Sequence, residues 1–65
     1  MDKTTVSQTK TAINALLDVY QYWIDYAPEY NLSEKDILKL QKKLKTAQTN
    51  IEKMYQASEE KLKNL

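Results

Sequence analysis

The chain of 65 residues has no cysteine, histidine, arginine, glycine or phenylalanine, and only one proline. Each gap removes a class of chemistry. Without cysteine there is no disulfide framework and no thiolate metal site, which fits a reducing compartment. Without histidine the usual general base and the commonest metal ligand are missing. Without glycine there is no phosphate-cradling loop of the nucleotide-binding kind, and a turn-rich β fold is disfavoured. Asp18 and Asp25 interrupt the most apolar stretch, leaving it short of the ~20 residues a membrane span requires. The N-terminal MDKTTVSQTKTA lacks the apolar centre of a signal peptide. These gaps predict a soluble, cytoplasmic, all-α protein with no catalytic activity, metal or cofactor, working away from membranes.

What is present is concentrated between Ala12 and Tyr30, which hold four of the five tyrosines, the only tryptophan and the only proline. From Val6 an apolar seam runs Val6, Thr9, Ile13, Leu16, Tyr20, Trp23, Ala27 at alternating spacings of three and four, the spacing that keeps side chains on one face of a helix. Leu17 and Ile24 widen it on one side. A second row follows Ala12, Ala15, Val19, Tyr22, Tyr26, and the polar remainder (Ser7, Thr11, Asn14, Asp18, Gln21, Asp25) is one narrow strip. A helix with so wide an apolar arc is normally surrounded by other helices.

Asp2, Thr4 and Thr5 are candidate caps for the start of this helix. Pro28 disfavours helical geometry at Ala27 and ends the helix near Tyr26 or Ala27. Glu29 to Asn31 make the connection, with Asn31 the residue best able to take a left-handed conformation. Ser33 and Asp36 then form a capping box in which Asp replaces the usual Glu, and Leu32 and Ile37 are placed as a hydrophobic staple. The second seam is Ile37, Leu40, Leu44, Ala47, Ile51, Met54, Ser58. The expectation is one domain, an antiparallel two-helix hairpin over about 4–27 and 33–63, with residues 1–4 and 64–65 frayed. Its layers would be Ala27–Ile37, Trp23–Leu40, Tyr20–Leu44, Leu16–Ala47, Ile13–Ile51, Thr9–Met54 and Val6–Ser58.

Two helices that each hide one side bury too little for a chain this small, and with disulfides excluded the remaining remedy is association. The second row, Ala12, Ala15, Val19, Tyr22 and Tyr26, together with Tyr30 in the turn, is therefore the expected interface. Its occupant would be a second copy, closing a four-helix bundle, or a larger protein. Charge is uneven behind the net +1. Residues 1–30 carry Lys3 and Lys10 against four carboxylates, whereas residues 31–65 carry eight lysines against Asp36 and four glutamates. Lys35, Lys39, Lys42, Lys43 and Lys45 form a basic patch beside the turn, a solvated face in the plainest interpretation and an anion-binding strip in the functional one. Asp18 and Asp25 lie one heptad apart, too far separated to act as a catalytic pair.

The function this supports is a non-catalytic protein–protein interaction module. It would be a small helical-hairpin homodimer that binds a larger protein and regulates or inhibits it, of a size and composition suiting an accessory product of a phage or mobile element. In length and topology the expected dimer also resembles the Rop class of plasmid copy-number regulators, hairpin dimers that grip paired RNA loops. That resemblance implies nucleic-acid binding through the Lys-rich face of the second helix, and no local motif accompanies it.

Overall fold

The computed structural model describes residues 3–65, which form two helices, α1 (Lys3–Tyr26) and α2 (Glu34–Lys63), with no strand among the described residues. They lie side by side as an antiparallel hairpin measuring 49 × 16 × 16 Å. The helix limits follow from local chemistry. Thr4 and Thr5 are already inside α1, and Asp2 lies outside the described residues. At α2 the capping box is complete: the Asp36 backbone N–H donates to Ser33 Oγ (3.2 Å), while Asp36 Oδ2 accepts from the Ser33 N–H (3.4 Å) and hydroxyl (2.9 Å). Glu34 and Asp36 in its first turn, with Lys61 and Lys63 in its last, complement the helix dipole.

The turn departs from expectation at one residue. Tyr30, not Asn31, takes the left-handed conformation, with φ 57°. Its N–H donates to the Tyr26 carbonyl at 2.7 Å, closing the end of α1. A left-handed tyrosine costs about 1–2 kcal/mol. Its ring meets Trp23 edge-on at 6.3 Å, a contact whose typical value of about 0.5–1.5 kcal/mol is comparable. Asn31 offers no such ring, which is why intrinsic turn preference lost.

The larger departure is rotational. The buried residues of the hairpin are Ala12, Ala15 and Val19 on α1 with Leu40 and Ala47 on α2. Extended through the half-buried positions, the α1 seam is Thr5, Gln8, Ala12, Ala15, Val19, Tyr22, Tyr26. The expected seam through Ile13, Leu16, Tyr20 and Trp23 lies one residue on, a rotation of about 100°, and it faces outward: Tyr20 is 61% exposed and Trp23 39%. On α2, Leu40, Ala47 and Met54 turn inward as expected, but Ile37, Leu44 and Ile51 are exposed and Asp36, Asn50 and Ala57 replace them at the margin of the contact.

Axial register, by contrast, is close to that anticipated. The Thr9 hydroxyl meets Met54 Sδ at 2.8 Å, Lys43 Nζ meets Asp18 Oδ2 at 2.9 Å, and the Tyr26 hydroxyl meets Asp36 Oδ2 at 2.7 Å. The reason for the rotation is size. Ala12 and Ala15 opposite an α2 seam that includes Ala47 present small side chains to each other, which favours close helix packing. The large row would hold the helices apart.

Candidate interaction surface

The rotation decides which side chains are available to a partner. Of the six residues expected at an interface, Ala12, Ala15 and Val19 are covered by the chain's own second helix. Tyr22 and Tyr26 are half-buried and stacked on each other, ring centres 6.2 Å apart and planes 21° apart. Tyr30 alone of the six is exposed, at the turn. As a set they form the hairpin's internal seam and its turn end.

What faces water instead is the large row. Ile13, Leu16, Leu17, Tyr20, Trp23 and Ile24 are exposed along α1, and Ile37, Leu44, Ile51 and Tyr55 along α2. Because the helices run antiparallel, a step of one residue past the seam turns toward the same side of the hairpin on both. The two exposed rows therefore lie on one face. The opposite face is polar, and the Asp18–Lys43 ion pair spans it from helix to helix. A shallow groove there, of about 330 Å³, is lined by Asp18, Gln21, Tyr22, Asp25 and Lys43. Gln21 Nε2 donates to Asp25 Oδ1 at 2.8 Å. Both partners of the ion pair are about half exposed, so it orients the helices more than it stabilises them. Asp18 holds the Lys43 ammonium above its ordinary pKa, first through the hydrogen bond and then through charge.

Lys35, Lys39, Lys42, Lys43 and Lys45 are all exposed, and Lys42 and Lys45 border a second shallow groove with Thr46, Thr49 and Asn50. Sequence inspection missed the tie between Lys43 and Asp18, although Asp18 at the centre of the polar strip of α1 was the available signal. Among the described residues no three His, Cys, Asp or Glu side chains come together as a metal site, and no described helix is long and apolar enough to cross a membrane. No protein-family model matches this chain, and neither a curated protein nor a solved structure matches it.

One further contact closes the turn end of this surface. The Tyr26 hydroxyl donates to Asp36 Oδ2, the same oxygen that serves the capping box. That bond, followed by the one from Ser33, holds the Asp36 carboxyl below its ordinary value of 3.8. The same bond, with desolvation and the nearby charge of Asp36, raises the Tyr26 phenol above 10.0. The tie needs an ionised Asp36 and a protonated Tyr26. Its stabilisation is present above the unfolded carboxyl pKa and lost as pH falls through the lowered folded one. It is likewise present below the unfolded phenol pKa and lost as pH rises through the raised folded one. Comparing thermal melts of the parent and Tyr26→Phe should therefore show a stability difference that is constant between about pH 5 and 9 and shrinks at both extremes. A difference that stays the same at acid and alkaline pH would contradict the assignment.

Proposed function

We propose that this chain is a non-catalytic protein-interaction module whose working unit is a dimer, two hairpins closed apolar face to apolar face into a four-helix bundle. The observation that carries this is the exposure of the largest apolar side chains on one side of the hairpin while alanines fill its seam. A solitary hairpin would gain more by burying the large row, since a fully buried Leu, Ile or Val contributes ~1.5–3 kcal/mol and alanine much less. The arrangement is economical only if another molecule covers that row.

Area is of the right size for a second copy as the cover. The chain exposes 5414 Å², against about 4,300 Å² for a compact monomer of its mass. A compact dimer would expose roughly 7,100 Å², so closure would bury on the order of 3,700 Å² in total, inside the ~2,000–5,000 Å² range of obligate homodimers. Dimer closure leaves the turn end, with Tyr30 exposed, for docking on a larger protein and regulating or inhibiting it. Tyr and Trp are the residue types most enriched among contacts that dominate binding energy.

Sedimentation equilibrium at micromolar concentrations should give twice the 7.6 kDa chain mass. Introducing Leu17→Lys with Ile24→Lys should weaken association by about 100-fold or more. A folded parent that sediments at the single-chain mass throughout, or a double variant that associates as the parent does, would overturn the proposal.

Nucleic-acid binding is the alternative that one observation favours: Lys35, Lys39, Lys42 and Lys45 stand exposed with no ion pair among the described residues. It requires that affinity for a hairpin RNA fall steeply with salt, and that replacing Lys39 and Lys42 by Gln lower the slope of log K against log salt by about one per lysine. Absent or salt-insensitive binding removes it.

A further inference from the structure

The exposed rows of the two helices differ in width, and the difference bears on how two copies meet. On α1 the apolar surface is two rows deep. Leu16 and Trp23 lie nearest the seam, and beyond Ile13 and Tyr20 the surface continues to Leu17, Ile24 and Val6, which are 57%, 51% and 68% exposed. On α2 it is essentially one row, Ile37, Leu44, Ile51, Tyr55 and Leu62, with Leu38 alone beyond it near the turn. The next positions outward are Gln41, Gln48, Glu34, Lys45 and Glu52.

Two-fold closure of two such faces has two solutions. With the turns at the same end, each α1 lies over the partner's α2. The outer apolar row of α1 then rests on glutamines and charges, stripping water from polar groups without pairing them. With the turns at opposite ends, α1 lies antiparallel on the partner's α1 and α2 on the partner's α2. The outer row then meets its own counterpart, and the polar margin of α2 meets a polar margin that stays wet.

We infer that the hairpins pair with their turns at opposite ends, α1 against α1 and α2 against α2; this rests on the face-to-face dimer proposed above. The charge pattern does not oppose it. In α2 the lysine excess lies in the half next to the turn, while the far half balances Glu52, Glu59 and Glu60 against three lysines. Antiparallel α2 helices set the basic half of one beside the balanced half of the other, so like charges are not stacked. Residual repulsion across the pair is screened over a Debye length of about 8 Å at physiological salt, whereas apolar contact is not.

The absence of cysteine makes the test clean. A single Glu29→Cys substitution in the exposed turn, carrying a nitroxide label, reports the distance between the two turns of a dimer by pulsed electron spin resonance. Turns at opposite ends predict a separation close to the 49 Å length of the hairpin. A dimer whose labels lie within a bundle width of each other would overturn the orientation while leaving dimerisation intact. A labelled chain that gives no intermolecular distance and sediments as a monomer would overturn both.

Discussion

Close approach of two helices through small side chains is the constraint on which this structure depends. Ala12, Ala15 and Ala47, each 5% exposed or less, lie in the seam between the helices, and the other placements follow from the rotation that puts them there. Once they are inside, the polar strip of α1 meets Lys43 on one face, and the large apolar rows are carried together on the other. Turn chemistry and register then have only to keep the helices antiparallel. The capping box at Ser33, the proline after Ala27 and the Tyr26–Asp36 bond all act at that one end.

The consequence is a hairpin that resembles half of a larger core. Among its described residues no side chain is entirely buried, and its radius of gyration of 15.1 Å exceeds the ~11 Å of a compact domain of this length. Packing between α1 and α2 aligns the chain and leaves Ile13, Leu16, Tyr20, Trp23 and their neighbours exposed. In the proposed dimer that division of labour would couple folding to association, a route by which chains with small cores and no disulfides reach stability. It also assigns the aromatic residues a different role from the one their spacing implied. Tyr22 and Tyr26 hold the hairpin together, while Tyr20 and Trp23 belong to the open face.

Much of the architecture was legible in the residues. The absence of glycine, the single proline and the Ser33–Asp36 box locate two helices and their connection to within a residue or two, and heptad spacing sets the axial register. Rotation was not legible from hydrophobicity, because α1 offers two rows that both satisfy three-four spacing. A hydrophobic score ranks the row with Ile, Leu and Trp first. The deciding property is volume: alanines at 12, 15 and 47 fall in register and mark the seam between the helices, and only a comparison of the two rows across both helices reveals it. Tyr30 escaped for a related reason, since its left-handed backbone is compensated by a ring contact with Trp23 that local propensity does not weigh.

The most direct check is a methyl NOE spectrum of the labelled chain diluted into unlabelled chain, so that only contacts within one molecule register. The Ala47 methyl should show strong cross-peaks to Ala15, with Ile13 and Tyr20 showing none to Ala47. Strong cross-peaks from Ala47 to Leu16 in place of Ala15 would mean that the large row lies inside, and the account built on its exposure would fail.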